Sequence, residues 1–143
     1  MTDIPRGLTE APLHLLRRAL QAYTAQWQRL SPQVTPPQAA VLLALRERPT
    51  ITQTHVGELT GIDTATLTPL LRSLEERGFL SRRVDEGNRR RKLLELTEQG
   101  AALVTTVEAL AARTDDIMLA GLSPEQRRAL MTALATLASL TES

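Results

Sequence analysis

Residues Gln53 to Leu96 read QTHVGELTGIDTATLTPLLRSLEERGFLSRRVDEGNRRRKLLEL, and this stretch decides the fold. The spacing predicts a short helix over about Gln53–Thr60 with Val56 and Leu59 inward, closed by Gly61, a residue that tolerates positive φ. Asp63 is placed to cap a second helix, about Thr64 to Arg77, whose apolar stripe is Leu67, Leu70, Leu71 and Leu74. Gly78 ends it. Gly57 sits four residues before Gly61, where a bulky side chain would hinder close crossing of the two helices, which is helix-turn-helix spacing. Beyond Gly78 the pattern turns to a hairpin: Phe79–Val84 as one strand, Asp85-Glu86-Gly87-Asn88 as the turn, and about Arg91–Leu96 returning. A helix-turn-helix followed by a two-stranded hairpin is the winged helix-turn-helix order. Its second helix can lie in a major groove while the wing reaches an adjacent minor groove.

The flanks are helical. Leu13, Leu16, Leu20, Tyr23, Trp27 and Leu30 recur in steps of three and four, predicting a long amphipathic helix over about Pro12–Leu30. Thr35 and Gln38 form a capping-box pair with Pro36 at the first helical position, opening a helix over about Pro36–Glu47 that Pro49 stops. Thr97 caps a helix running to about Ala120, with Leu103, Val107, Leu110 and Ile117 as its stripe. A second capping box at Ser123 and Gln126 opens a last helix to about Leu140, with Leu130, Leu134 and Leu137 inward.

The chain has 143 residues, 42% of them apolar and 23% charged, enough for one domain or one protomer of an oligomer. With no Cys, disulfides, thiolate metal sites, cysteine nucleophiles and thiol redox sensing are excluded. Two His, His14 and His55, leave little from which to assemble a zinc site or a His-based triad. No catalytic constellation is visible, and no cofactor or metal is called for; Asp115 and Asp116 are adjacent on a helix and point apart. The Met1–Gly7 stretch lacks the basic and apolar regions of a secretory leader. The longest apolar run, Ala39–Leu45, is far shorter than the roughly 20 residues that span a bilayer. A cytoplasmic protein is expected.

The formal net charge of +1 hides a dipolar molecule. Arg72 to Lys92 hold eight basic side chains against four acids, whereas the remainder holds nine against twelve. The basic pole coincides with the second helix and the hairpin, where Arg side chains would release counterions from a DNA duplex. With the Leu stripe inward, Asp63, Thr64, Ala65, Thr66, Thr68 and Arg72 are left near the DNA side, and Arg82, Arg83, Arg89, Arg90 and Arg91 belong to the wing. Thr hydroxyls can contact phosphates or bases, and Arg72 can pair bidentately with guanine. The competing reading of Arg72 is a helix-surface ion pair with Glu75 or Glu76. The competing reading of the wing is a solvated Arg-rich hairpin.

These residues resemble the MarR family of bacterial transcription regulators over nearly the whole chain: an N-terminal helix, TPPQAAVLLAL at Thr35–Leu45, THVGELTGIDTATLTPLLRSLEERGFLSRR at Thr54–Arg83, and a wing ending RRRKLLELTEQG at Arg89–Gly100. Pro69 inside a helical stripe would ordinarily argue for a kink. The same Thr-Pro-Leu-Leu arrangement occurs in this family, particularly in its organic-hydroperoxide-sensing branch. That branch senses through an N-terminal Cys, which is absent here, so the resemblance does not extend to peroxide sensing. The family's wing carries an Asp two residues before an Arg; counting back from Leu96-Thr97 places Asn88 at the Asp position and Arg90 at the Arg position. Asn88 accepts a hydrogen bond but forms no ion pair, leaving Asp85 or Glu86 to brace the tip.

The resemblance further implies a homodimer joined through the first, fifth and sixth helices, with a ligand pocket between that interface and the DNA-binding lobe. The long apolar stripes outside the small winged module support a dimer independently. It would set two recognition helices about one DNA turn apart on a pseudo-palindromic operator. His14-x-x-Arg17-Arg18 resembles a branch that senses aromatic carboxylates, in which a first-helix Arg binds the anion. Arg17 would then hold a small aromatic carboxylate or phenol, with Tyr23 and Trp27 lining the slot and His55 facing pocket or solvent. The plainer reading makes Arg17 and Arg18 surface or intersubunit residues and Tyr23 and Trp27 dimer core. The expected fold class is mainly α with a small β-hairpin wing (α+β): one domain over 1–143, a DNA-binding lobe at 36–97, and dimerisation helices at 11–30 and 98–140. The expected function is a DNA-binding regulator, a repressor released by an anionic aromatic ligand. Two alternatives stand beside it: a ligand-independent DNA-binding protein, favoured if no cavity lies beside Arg17, and a winged module that binds a protein partner.

Overall fold

The computed structural model describes Gly7, residues 10–30 and residues 33–142; the stretch Met1–Arg6, read above for a leader, lies outside them. Each predicted helix cap is present. Helix α1 spans Pro12–Leu30 and α2 spans Pro36–Glu47, opened by the reciprocal Thr35–Gln38 box. Helix α3, Gln53–Thr60, ends on Gly61 at φ 72°, and α4, Thr64–Glu76, starts on Asp63, which accepts the Thr66 N–H at 3.0 Å. Helix α5, Glu98–Leu119, starts on Thr97, and α6, Pro124–Ala138, on the Ser123–Gln126 box before a 3-10 turn at Ser139–Glu142. Pro69 does not break α4; it lies on the exposed side, where its missing N–H is cheapest.

The sheet differs from the expected hairpin in two ways. Strand β2, Leu80–Asp85, and β3, Asn88–Leu96, are joined by only Glu86-Gly87, so the return strand begins three residues earlier than its charge pattern suggests. A register shift between Val84 and Asp85 absorbs the extra residues. A third strand, β1 at Ile51–Thr52, pairs antiparallel with β3 through Ile51↔Leu94 and Thr52↔Leu93, giving the order β1-β3-β2. Two residues before a helix carry no alternation to read.

The core joins Val41, Leu42 and Leu45 of α2, Val56 of α3, Leu67, Leu71 and Leu74 of α4, Leu80 and Leu94 of the sheet, and Leu103, Val104 and Val107 of α5. Each such side chain, fully buried, contributes on the order of 1.5–3 kcal/mol. Leu59 is exposed, not inward, and so is Ile117. Trp27 is 1% exposed and is the one fully buried residue of α1, its indole N–H donating to the Val34 carbonyl at 2.6 Å. The rest of the α1 seam is open: Leu13 is 76% and Leu20 62% exposed. Helix α6 has no buried residue at all.

The tightest joint lies where α5 meets the turn after α4. Gly78 takes φ 84°, the Thr97 hydroxyl donates to the Gly78 carbonyl at 2.6 Å, and the Thr97 N–H donates to the Phe79 carbonyl at 3.2 Å. Gly100 follows in direct contact with that peptide: a Cβ there would overlap the Phe79 carbonyl oxygen and lie 2.9 Å from its carbon. A Cβ on Gly57 would meet only the Ile62 carbonyl at 3.4 Å and Leu67 at 3.6 Å. Gly100→Ala is therefore expected to lower stability by about 1–3 kcal/mol. Gly57→Ala, offset by better helix propensity, should change it by less than about 1 kcal/mol. Thermal unfolding of the two variants checks the contrast.

Candidate nucleic-acid interface

Helix α4 presents one polar face. Thr64, Ala65, Thr66 and Arg72 are exposed on it, and Leu67, Leu71 and Leu74 fill the core behind it, with Leu70 half-buried. Asp63 accepts both the Thr66 N–H and, at 2.8 Å, the Thr66 hydroxyl. These bonds hold the Asp63 carboxyl below the ordinary carboxylate range, the side-chain bond from Thr66 being the larger cause. Arg72 has no ion pair among the described residues, and Glu75 is engaged elsewhere, so the guanidinium is free to project from the helix.

Thr68, expected to face DNA, is half-buried and accepts from Gln53 Nε2 at 3.0 Å, tying α4 to the start of α3. Arg82 is likewise turned into the fold. It shares a sheet face with buried Leu80 and stands opposite buried Leu94, and its guanidinium reaches Glu75 Oε2 at 3.3 Å and Gln53 Oε1 at 3.4 Å. The period-two alternation from Leu80 was the signal in the sequence that could have assigned Arg82 to the inner face. Arg77 is also occupied, donating to the Gln33 carbonyl at 2.7 Å and lying over the Phe79 ring at 5.0 Å.

In the wing, Arg83 pairs with Glu95, and Arg91 donates to Asp85 at 2.9 Å. Asp85 also accepts the Gly87 N–H at 3.0 Å, while Asn88 accepts the Arg90 N–H at 3.2 Å. The brace missing at Asn88 is thus supplied by Asp85. The Arg91 hydrogen bond, then the Gly87 N–H, lowers the Asp85 carboxyl from its ordinary value. A depressed carboxylate contributes its bracing above the ordinary aspartate range and loses it as pH falls through the lowered value. Arg89 and Arg90 are exposed, with no side-chain partner among the described residues.

The effector candidates are less assembled. Arg17 Nη2 donates to His14 Nδ1 at 2.8 Å, which puts any single imidazole proton on Nε2, and Arg18 is exposed beside them. Tyr23 stands 6.2 Å from Trp27, their ring planes at 55°, and the Tyr23 phenol is raised by burial and then by Asp115. Trp27 is core of its own chain and cannot line a slot without unpacking. His55 is exposed on α3. A groove of about 910 Å³ runs along α3, the Gly61 turn and the start of α4 to Ala138; another of about 450 Å³ lies between Leu20, Thr24 and Gln28 of α1 and Val34–Pro37. Neither includes His14, Arg17, Arg18 or His55. Among the described residues no group of three or more His, Cys, Asp or Glu is placed to hold a metal, and no helix is long and apolar enough to cross a membrane.

This arrangement has close counterparts. Residues 33–91 match the MarR family. The chain is 33% identical over 133 residues to the HTH-type transcriptional repressor NicR of Pseudomonas putida, covering 92% of this chain and 84% of NicR. The chain belongs to the MarR family. It is a DNA-binding transcriptional regulator with a winged helix-turn-helix. The solved structure of Bordetella bronchiseptica BpsR, described for regulation of its DNA binding by 6-hydroxynicotinic acid, superposes with a TM-score of 0.88 at 33% identity, covering 94% of this chain and 98% of that one. The transcriptional repressor CouR, bound to a 23-mer DNA duplex, superposes at 0.87 with 31% identity, covering 96% and 99%.

Two outcomes are expected. Arg89→Ala and Arg90→Ala should each reduce the slope of log affinity against log salt by about one, measured by fluorescence anisotropy on a duplex the protein retains. The NMR signals of Gly87 and the Arg91 guanidinium should keep their positions at neutral pH and move only as pH falls below the ordinary aspartate range.

Proposed function

We propose that this MarR-family regulator is a homodimeric repressor, acting in the cytoplasm, that leaves its operator when a small anionic aromatic molecule binds. One domain over 1–143 would divide into a DNA-binding lobe at 36–97 and dimerisation helices at 11–30 and 98–140. DNA would be held by Thr64, Ala65, Thr66 and Arg72 on the recognition helix α4, and by Arg89 and Arg90 on the wing. The observation that carries this reading is that, among the described residues, these guanidiniums and Lys92 have no side-chain partner in the basic pole, while Arg77, Arg82, Arg83 and Arg91 are each engaged by a carbonyl or an acid of the chain. Dimerisation is supported by Leu13, Leu16 and Leu20 on the N-terminal part of α1 and by Met131, Leu134 and Leu137 on α6, a helix with no buried residue; all six are apolar side chains left exposed.

The effector part rests on the His14–Arg17 pair beside that open face, and on likeness to BpsR, whose DNA binding is regulated by an aromatic acid. Arg17 would take the carboxylate as a two-pronged donor, releasing the His14 nitrogen to a ring hydroxyl or nitrogen. For release from DNA, the ligand must bind more tightly to a dimer geometry whose recognition helices mismatch the operator. A second reading, regulation without a ligand, is favoured by one observation: neither cavity described within the chain touches Arg17. In the first reading the walls beside Arg17 come from the partner subunit.

Sedimentation at micromolar concentration should give a dimer; a monomer contradicts the proposal. Titrating 6-hydroxynicotinate and related aromatic acids against a protein–operator complex should release the DNA, and Arg17→Ala should abolish that response while leaving operator affinity unchanged. No release by any aromatic acid supports the ligand-independent reading.

A further inference from the structure

Arg82 lies in the basic pole yet points away from solvent, and its surroundings link the two DNA-reading elements. Its side chain is 21% exposed, its Nε is shielded without an aligned hydrogen bond, and its charge is met by Glu75 of α4 at 3.3 Å. Its Nη1 donates to Gln53 at 3.4 Å, and Gln53 in turn donates to Thr68 of α4 at 3.0 Å. The chain Thr68–Gln53–Arg82–Glu75 therefore starts and ends on the recognition helix and passes through the wing strand. We infer that Arg82 is a positioning residue that sets the angle of the wing against the recognition helix, so that Arg89 and Arg90 reach one groove while α4 occupies the next. Glu75, an acid beside the DNA-reading helix, serves binding by holding Arg82. The inference rests on the proposed DNA-contacting roles of α4 and the wing.

A guanidinium can hold Glu75 and Gln53 at once through its planar fork; an ammonium cannot span both. The three charged or amide partners also make the effects interdependent, because residues in one network do not act additively.

The test uses the full-length protein and a duplex that the wild-type chain selects from a random-sequence pool. Glu75→Gln removes a negative charge, so an acid that merely repels phosphate would, when neutralised, bind DNA more tightly. The expected result is the opposite, a loss of about tenfold. Arg82→Gln should lose a similar amount, Arg82→Lys should fail to restore it although the charge is kept, and the double variant Glu75→Gln/Arg82→Gln should be no worse than either single one. Hydroxyl-radical footprints of the variants should lose protection at the wing-side minor groove and keep it where α4 sits, with melting temperatures unchanged. Tighter or unaltered binding by Glu75→Gln, full rescue by Arg82→Lys, or multiplying single effects overturns the inference while leaving DNA binding intact. Failure of the wild-type chain to select any duplex overturns the proposed contacts and this inference together.

Discussion

The approach of one backbone to another, Gly100 against the Phe79 peptide, is the constraint on which the rest of the molecule depends. It brings the first turn of α5 close enough for Thr97 to satisfy both the Gly78 and Phe79 carbonyls, groups that the end of α4 would otherwise leave without donors. From that joint α5 is directed across the core, where Leu103, Val104 and Val107 meet the α2 and α4 side chains. A second tie lies farther along: Arg46 of α2 grips Glu108 of α5 through two hydrogen bonds, at 2.5 and 3.0 Å. The long helix and the lobe are thereby joined at two places, the Gly100–Phe79 contact and the Arg46–Glu108 pair.

The same economy governs the charges. Basic residues crowded into one segment repel one another, and the fold relieves this by spending acids on those that face inward or sideways: Glu75 on Arg82, Glu95 on Arg83, Asp85 on Arg91. Exposed ion pairs of this kind add little to stability. Their consequence is geometric, since each fixes a side chain or a turn that would otherwise sample many positions. What remains unpaired at the pole among the described residues, Arg72, Arg89, Arg90 and Lys92, is then a small set presented from a braced surface.

Helix α1 shows how one amphipathic stripe can serve two environments. At its C-terminal end Trp27 and Tyr23 join the core and face α5, with the indole N–H satisfied by Val34. At its N-terminal end the same stripe carries Leu13, Leu16 and Leu20 into open space, alongside the Arg17–His14 pair. An apolar surface of this kind, continued by an α6 with no buried residue, is what the proposed dimer would cover.

The helices and their ends were legible in the residues because capping is local: Thr35 with Gln38, Asp63 with Thr66 and Ser123 with Gln126 each act within three positions. The basic pole and the winged order were legible for the same reason, being properties of one contiguous segment. Burial along a stripe was legible only in part, since Leu59, Leu20 and Leu134 obey the helical period yet are covered only in part by their own chain. Which arginines stay free, which strand joins Leu94, why position 100 must lack a side chain and where Trp27 points were decided by tertiary structure. Those outcomes depend on partners far apart in sequence, such as Arg82 with Gln53 or Arg46 with Glu108, and no local pattern encodes a distance that only the packed core creates.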